Sequence, residues 1–151
     1  MIRLRKGTRR DLDRIVDFQI ALAWESERLR LDSAIVKKGV RAIFTDKSKG
    51  RYYMAQMDGE VVGILLIIPE WSDWRNATVL WIHSLYVRPE ARGKGVFKKL
   101  FEFLRKKVEK SQRFSGLRLY VDKNNRQAKA VYKKLGMNKD HYLMYEWMKS
   151  D

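Results

Sequence analysis

The most informative absence in this chain of 151 residues is cysteine, of which it has none. Without thiols the protein forms no disulfide, builds no thiolate metal site and has no cysteine nucleophile. Long apolar runs are also missing, since the longest, Val61 to Pro69, is far shorter than the ~20 residues that cross a bilayer. No apolar segment follows the charged N-terminal residues, so we expect no signal peptide. We therefore expect a soluble, cytoplasmic protein with no membrane partner and no metal site.

Acidic residues are scarce: 18 Asp and Glu stand against 33 Lys and Arg, which gives a net charge of +15 at pH 7. Such a field attracts polyanions, including nucleic acids, phosphorylated cofactors and anionic membranes. The alternative is a lysine-rich solvated surface that binds nothing. Apolar residues still make up 45% of the chain, and its length suits one domain with a real core. We assign a single domain to residues 1–151.

Alternating apolar residues predict six strands. The clearest pair flanks Asp58-Gly59, a preferred tight-turn dipeptide, and Pro69 is expected to end the second strand of that hairpin. The strand at 77–87 is apolar on both faces and is expected to be central. The strands are expected at 2–6, on both sides of the turn within 50–68, at 77–87, at 117–122 and in HYLMYEWM, residues 141–148.

Helical spacing predicts four helices between these strands, in the order β-α-α-β-β-β-α-β-α-β. A capping box at Thr8 and Asp11 opens the first helix, which reaches about Arg28. Its inward positions are Leu12, Ile15, Val16, Phe18, Gln19 and Leu22. The other helices are expected after an Asp32 cap, from about Gly95 to Glu109, and between a cap at Asn124 or Asn125 and a stop at Gly136. The pattern is that of one mixed α/β domain.

The segment RPEARGKGVFKKL, residues 88–100, places Gly93 and Gly95 inside a cluster of positive charge. It follows a buried strand and opens a helix, where free backbone N–H groups and the helix dipole favour an anion. Glycine permits unusual backbone angles and close ligand approach. The dinucleotide motif would require glycine in place of Lys98, and no Walker motif is present. The alternative is an ordinary strand-to-helix turn. The cations are Arg92, Lys94, Lys98 and Lys99.

Two segments together resemble the GCN5-related N-acetyltransferase (GNAT) family. SLYVRPEARGKGVFKKL resembles its pyrophosphate motif, R/Q-x-x-G-x-G/A after a strand that ends in hydrophobic-x-Val, although Phe97 replaces the last Gly or Ala. YVDKNNRQAKAVYKKLGM resembles its second motif, N-x-x-A-x-x-x-Y-x-x-x-G-F, with Met137 in place of Phe. The element order also agrees with the family. The matching residues are Leu85, Tyr86, Val87, Arg92, Gly95, Asn125, Ala128, Tyr132 and Gly136.

The resemblance implies an acyl-CoA N-acyltransferase fold: a mixed, mostly antiparallel sheet, splayed between the strands at 77–87 and 117–122, with helices on both faces. It implies transfer of an acetyl group from acetyl-CoA to a primary amine of a small molecule or protein, by direct attack in a ternary complex. Dimers are common in the family, which leaves a homodimer open. The implied cofactor contacts are Leu85, Tyr86, Val87, Arg92, Gly93, Lys94, Gly95, Val96, Phe97, Lys98, Asn125 and Ala128.

By the same resemblance Tyr132 is the acid that protonates the departing thiolate, and a phenol with a pKa of about 10 suits that step. His83 is the candidate base, because its ordinary pKa of about 6.5 suits proton removal at neutral pH. Alternation places His83 on the same side of its strand as Trp81 and Leu85. Glu25 and Glu27 are alternatives, on or after the first helix, where the family places its acceptor. A core tyrosine, a sheet histidine and plain surface charge are the structural alternatives for these residues.

Trp71 and Trp74 lie in EWSDWRN, which is expected to be a loop, and two exposed tryptophans are costly. They cover the core or a dimer interface in the first interpretation, and contact the acceptor in the second. The positive charge favours an acceptor that carries an acid group over a polycation. It also permits a rival function, a catalytically silent module that binds nucleic acid or a ribosome. The chain has no zinc finger, no RNP signature and no clear helix-turn-helix, which argues against a nucleic-acid partner.

Overall fold

The computed structural model describes residues 1–149, which belong to two compact units, Met1–Tyr120 and the residues from Val121 onward. The first unit contains a five-stranded sheet in the order β1-β2-β3-β4-β5. Neighbouring strands are antiparallel except for β4 and β5, which are parallel. The predicted mixed, mostly antiparallel sheet is confirmed. The strands are β1 (Ile2–Lys6), β2 (Arg51–Met57), β3 (Glu60–Ser72), β4 (Ala77–Val87) and β5 (Phe114–Arg118).

Helices cover both faces of this sheet, as the sequence predicted. They are α1 (Leu12–Glu27), α2 (Ser33–Thr45) and α3 (Val96–Glu109). On one face, Phe18 of α1 and Met54 of β2 belong to the same buried cluster. Tyr53 alternates with Met54 and so points to the other face. There it meets Phe103 of α3, with 4.8 Å between the ring centroids.

The hairpin between β2 and β3 forms at the predicted dipeptide. Asp58 and Gly59 have φ angles of 52° and 84°. Positive φ at both central residues is typical of a type I′ turn, whose twist matches that of the flanking strands. The turn therefore fixes the register that puts Met57 opposite Glu60.

β3 does not end at Pro69, and this prediction was wrong: the strand continues to Ser72. β2 pairs with β3 only as far as Ile67, whereas β4 pairs with it through Ser72. Pro69 therefore lies where β3 has one neighbour, and such an edge tolerates a residue without an N–H. As a result the predicted loop shrinks to a turn at residues 73–76, and Trp71 is a strand residue.

Two further strand predictions were wrong. β5 starts at Phe114, before the predicted residue 117, and it ends at Arg118. Ser115 and Gly116 are not apolar, so a pattern based on apolar residues does not detect this start. Residues 141–148 form no strand. Within the second unit, the described residues contain one regular element, α4 (Arg126–Lys134), so this alternating segment has no strand there to pair with. Alternation predicts a strand, but a ladder also needs a partner edge.

Both ends of α4 are as the sequence predicted. Asn125 caps its start, because Asn125 Oδ1 accepts a hydrogen bond from Ala128 N–H at 3.1 Å. Gly136 follows the last turn with a φ of 86°, and Met137 N–H donates to the Tyr132 carbonyl at 3.1 Å. These are the contacts of a Schellman motif. The assignment of residues 1–151 to a single domain stays a prediction.

The predicted capping box at the start of α1 is present, and it opens on a short 3-10 turn at Arg9–Asp11. Thr8 N–H donates to Asp11 Oδ2 at 2.8 Å. Arg5 of β1 holds the same carboxylate with two hydrogen bonds, of 2.8 and 2.7 Å. These donors, Arg5 foremost, hold the pKa of Asp11 below its ordinary value. The bidentate pair thus joins the first strand to the first helix.

Asp11→Asn is expected to lower the free energy of unfolding at pH 7 by about 2 kcal/mol, because Arg5 loses a charged partner. A lowered folded-state pKa stabilises the fold above the unfolded value of about 3.9, and this stabilisation is lost as the pH falls through the folded value. The difference between the variant and the natural protein should therefore shrink below pH 4. Urea unfolding at several pH values measures it. Asp17→Asn, at an exposed site of α1, is the matched control, and an equal effect of both changes would contradict the prediction.

Candidate active site

Within residues 1–120, no strand pairs with the second half of β4 on the side that faces β5, so this edge of the sheet is open there. β5 pairs with β4 only from Thr78 to Trp81, and β5 ends at Arg118. From Ile82 to Val87, β4 continues with β3 as its partner. Pairing between the two central strands therefore stops at Trp81 and Arg118, where the family resemblance implied that they splay apart. Such an edge presents backbone N–H and C=O groups to whatever enters the gap.

Leu85 and Val87 turn their backbone groups toward that open edge. Arg88 N–H donates to the Val62 carbonyl of β3 at 2.8 Å, and in an antiparallel ladder the residues that bond to one neighbour alternate. The Val87 carbonyl accepts a hydrogen bond from Arg92 Nε at 2.8 Å instead. Leu85, two residues earlier, has the same orientation as Val87. Two of the strand positions implied as cofactor contacts thus lie on the open side.

A bulge interrupts β4 at His83. Leu66 of β3 opposes Ser84, but the next residue, Ile67, opposes Ile82, so His83 is the extra residue. Bulges re-aim side chains and change the phase of alternation, and here the bulge occurs where pairing with β5 has already stopped. The structure therefore places His83 beside the open edge.

The predicted common side for Trp81, His83 and Leu85 was wrong because of this bulge. Trp81 opposes Ile68, which packs against the buried cluster that contains Phe18 of α1 and Met54 of β2. Trp81 therefore lies on the face of the sheet that α1 and α2 cover. Ser84 faces α1 as well, and Leu85 comes directly after it, on the opposite face. Regular alternation assigns Trp81 and Leu85 to the same face of the sheet. The extra residue shifts the alternation by one, so the two residues lie on opposite faces.

The His83 imidazole is exposed on one side, and its Nδ1 lies 3.3 Å from Ser84 Oγ. Desolvation by the surrounding protein lowers the pKa of His83 below its ordinary value. The ring is therefore neutral at pH 7, and one of its nitrogens carries a lone pair that can accept a proton.

Behind His83, polar side chains form a chain into the core that sequence reasoning missed. Gln19 Nε2 of α1 donates to Ser84 Oγ at 3.0 Å, and Ser84 is buried. Burial raises the pKa of Tyr52, in the same core, to about 12, and an interaction with Gln19 opposes this rise. The available signal was a glutamine in the apolar stripe of α1, because buried polar groups need partners.

The glycine loop between β4 and α3 depends on two left-handed residues. Gly93 and Gly95 have φ angles of 74° and 86°. A Cβ placed at either glycine would meet no atom within 4 Å, so the requirement for glycine is one of backbone angle and the space above the loop is open. None of the described side chains caps α3, whose N-cap is Gly95. The loop therefore leads into a helix N-terminus, where the dipole favours an anion.

Three of the four predicted cations of this loop have protein partners, and two of these cations have partners on other elements. Lys99 Nζ donates to the Ile2 carbonyl of β1. Arg92 donates hydrogen bonds to both the Val87 carbonyl and the Glu25 carboxylate. Lys94 and Lys98 are exposed, and Lys98 lies 3.8 Å from Glu102 one turn along α3. The structure thus leaves Lys94 and Lys98 as the cations best placed to move toward a ligand.

Arg92 links the loop to the end of α1. Its guanidinium donates to Glu25 Oε2 at 2.8 Å and lies 5.5 Å from the centre of the Tyr86 ring. Burial, followed by the charge of Glu25, raises the pKa of Tyr86. The Arg92 and Glu25 side chains are 49% and 37% exposed, so water weakens their pairing. Glu25, a predicted substrate residue, is thereby brought to the loop.

The remaining predicted substrate residues lie apart from this group. Glu27 is two residues beyond Glu25, and residues at that spacing do not share a helix face. Trp71 and Trp74 are at the hairpin between β3 and β4, with Trp74 in the turn before Ala77. His83 is the sixth residue after Ala77 along the strand, a distance of about 20 Å. The tryptophans, 64% and 90% exposed, thus mark the other end of β4.

Within the second unit, the residues of the second motif lie on α4 or cap it. Asn125 is the cap residue, Ala128 donates its N–H to it, and Tyr132 lies one turn after Ala128 on the same face. Burial raises the pKa of Tyr132 to about 12. The phenol is therefore fully protonated at neutral pH, as an acid catalyst must be.

Over residues 1–149, no three acidic, histidine or cysteine side chains come close enough together to hold a metal ion. No helix in the same range has the length and apolar character that a membrane span needs. The features that do converge are an open strand edge, a glycine turn and an uncapped helix N-terminus. They are the features that the sequence resemblance implied for an acyltransferase.

Comparison with known proteins supports this class. Residues 16–137 match the model of the acetyltransferase (GNAT) family. An uncharacterized N-acetyltransferase from Archaeoglobus fulgidus is 31% identical over 135 residues, which cover 85% of this chain and 88% of the relative. The crystal structure of a possible acetyltransferase from Clostridium difficile 630 is 40% identical with a TM-score of 0.93, and the match covers 100% of this chain and 99% of that chain.

The chain therefore belongs to the GNAT family of acetyltransferases, and its class of reaction is acyl transfer. The family match includes residues of both compact units. A ribosomal-protein-alanine N-acetyltransferase from Brucella melitensis biovar Abortus 2308 has a TM-score of 0.78 over 98% of this chain and 100% of that one. It is 17% identical, so this likeness shows the fold alone.

Proposed function

We propose that the protein is an acetyl-CoA-dependent N-acetyltransferase that acts on a primary amine of a small molecule or a protein. The observation that carries this proposal is the continuity of the open β4 edge with the glycine loop and the start of α3. The edge offers backbone groups to an amide-containing arm. The loop offers N–H groups and cations to a pyrophosphate. Acetyl-CoA, as the acyl-donating substrate, contains these two parts in the same order.

The donor set in this region suits acetyl-CoA. Outward-facing backbone groups at Leu85 and Val87 would bind the pantetheine arm, beside Tyr86. The loop from Arg92 and the first turn of α3 would surround the pyrophosphate, with Lys94 and Lys98 adding charge. An open space above the loop and a helix start without a side-chain cap support this assignment. In the second unit, Asn125 and Ala128 are proposed as further cofactor contacts.

In the proposed reaction both substrates are bound together, and the acceptor nitrogen forms a bond to the thioester carbonyl carbon as the C–S bond breaks. His83 accepts the proton that the amine loses, and its lowered pKa keeps it ready at neutral pH. Tyr132 donates its phenolic proton to the departing sulfur. An outward N–H near Leu85 to Val87 would stabilise the charge that develops on the carbonyl oxygen. The products are an N-acetylated amine and free CoA.

Glu25 is the proposed contact for the acceptor. Its carboxylate is partly exposed at the end of α1 beside the glycine loop, and it attracts an ammonium group. The net charge of +15 favours an acceptor that also carries an acid group, such as an amino acid or a chain terminus. The cytoplasmic location expected from the sequence stays a prediction, and the homodimer stays open, as the resemblance left it.

A thermal-shift titration with acetyl-CoA, CoA and ATP tests the proposal. At 100 times the dissociation constant a ligand stabilises the fold by about 2.7 kcal/mol, which raises Tm by roughly 5–10 °C for a domain of this size. We expect this shift with both CoA species and little with ATP. Equal shifts with all three ligands would mean that the loop binds phosphate groups without selectivity for CoA, which would contradict the proposal. No shift would overturn the proposal and make nucleic acid the next ligand to test.

Two glycine variants make this experiment specific. Gly59 and Gly95 have φ angles of 84° and 86°, and a Cβ at either meets no atom within 4 Å. Alanine at either position should therefore cost a similar 1–2 kcal/mol of stability, a rough estimate for the left-handed conformation. Only Gly95→Ala should also weaken CoA binding, by about tenfold or more, because its Cβ enters the phosphate site. Equal CoA affinity in both variants would exclude the loop as the binding site.

A further inference from the structure

The polar chain behind His83 has no role in the cofactor site, yet it ends at the proposed base. It starts at Gln19 of α1, continues through Ser84 and ends at His83 Nδ1. Ser84 is 5% exposed. Buried polar groups cost free energy unless they are paired, so such a chain specifies an arrangement more than it adds stability.

The amide of Gln19 acts as a donor in this chain. Its Nε2 donates to Ser84 Oγ at 3.0 Å. An interaction with Gln19 also opposes the rise in the pKa of Tyr52, which is the effect that a nearby donor has on a phenolate oxygen. Ser84 Oγ is therefore held as an acceptor on its inner side.

Ser84 Oγ has one remaining lone pair and one proton, and His83 Nδ1 lies 3.3 Å away. If the serine hydroxyl donates its hydrogen bond to Nδ1, the proton of the neutral imidazole has to be on Nε2. Neither ring nitrogen could then accept a proton from the amine. If Nδ1–H donates to Ser84 Oγ, Nε2 keeps its lone pair, and the serine hydroxyl directs its own hydrogen away from the imidazole. Only the second arrangement serves a base, and it also stabilises the imidazolium that forms.

We propose that Gln19 and Ser84 are positioning residues that hold the His83 proton on Nδ1, so that Nε2 is the nitrogen that accepts the proton of the acceptor amine. This inference rests on the proposed function of His83 as the base. Here a neutral serine oxygen orients the histidine, as a carboxylate does in a catalytic triad. Among residues 1–149, no charged group is a cause of the shifted His83 pKa; desolvation alone is.

Nitrogen NMR of protein labelled with 15N-histidine tests this directly, without any substrate. The chain has two histidines, and His141→Gln removes the second signal. We expect a protonated Nδ1 and an unprotonated Nε2 in the natural protein near pH 7.5, and a change toward the other tautomer in Ser84→Ala. A proton on Nε2 in the natural protein, or the same tautomer in both proteins, would overturn the proposal.

The titration of the same signals adds a test of direction. Ser84→Ala removes an acceptor from the imidazolium and should shift the His83 transition to lower pH. In Gln19→Glu a carboxylate accepts from the serine hydroxyl, which frees the serine lone pairs for Nδ1–H, so the transition should shift to higher pH. Ser115→Ala, at an exposed site of β5, should leave it unchanged. Shifts of the first two variants in the same direction would indicate mere structural damage and would contradict the proposal.

The two proposals can fail separately. Ser84→Thr keeps the hydroxyl and should retain the natural tautomer, which separates the loss of a hydrogen bond from the loss of packing. If His83→Gln keeps full turnover, the base assignment fails, whatever the tautomer. If the tautomer is the other one while CoA still binds, the positioning proposal fails and the acetyltransferase proposal stands.

Discussion

Tyr132→Phe is expected to reduce kcat by about 100-fold or more, because the leaving sulfur loses its proton donor, while the dissociation constant of CoA stays unchanged. The measurement is the release of CoA thiol with the best acceptor from an amine panel, together with a CoA titration. Burial raises the pKa of Tyr132 to about 12. The phenol thus stays protonated up to high pH, and the natural enzyme should show no loss of rate from its ionisation below about pH 11.

Tyr145→Phe is the matched control for this change. Tyr145 is also in the second unit and is 90% exposed, so removal of its hydroxyl should affect neither rate nor binding. Full activity in Tyr132→Phe would eliminate the acid role. The buried phenol would then be a structural residue of α4.

His83→Gln is expected to lower kcat/KM at pH 7 by at least 100-fold, the usual lower range for a general base. Desolvation lowers the pKa of His83, so the natural enzyme should hold its rate below pH 6.5 and lose it only when the imidazole becomes protonated. This acid limb should be absent in the variant. A pH–rate profile of kcat/KM, which reports on the free enzyme, shows both effects.

His141→Gln, in the second unit, should leave the profile unchanged and is the control for His83→Gln. If His83→Gln itself has an unchanged profile, His83 is not the base. Glu25 then becomes the candidate, since it lies beside the glycine loop. In that case Glu25→Gln should remove the acid limb instead.

Local sequence patterns predicted most of the fold because the relevant interactions are local. Turn chemistry at Asp58-Gly59 and the Asn125 cap of α4 depend on neighbours in the chain, and both are as predicted. The end of β3 depends on which strand lies beside Pro69, and the strand predicted at 141–148 depends on a partner edge. Neither neighbour can be identified from the segment itself.

The candidate site divides in the same way. The glycine loop and its helix were predicted from contiguous residues. Glu25 and Arg92 are 67 positions apart, and Gln19 and Ser84 are 65 apart. Such pairs arise only when α1 crosses the sheet, so no spacing rule predicts them. The bulge at His83 is likewise set by the register of two strands.

That bulge also affects how this chain can be aligned or recombined with its relatives. His83 is the extra residue, so a deletion there would restore regular alternation: Ile82 would still oppose Ile67, and Ser84 would still oppose Leu66. The residues from Ser84 to Val87 would keep their facing, and the strand would lose only the side chain beside the open edge. A relative whose β4 is one residue shorter between Ile82 and Ser84 would therefore align with the same facing, and it would lack the proposed base.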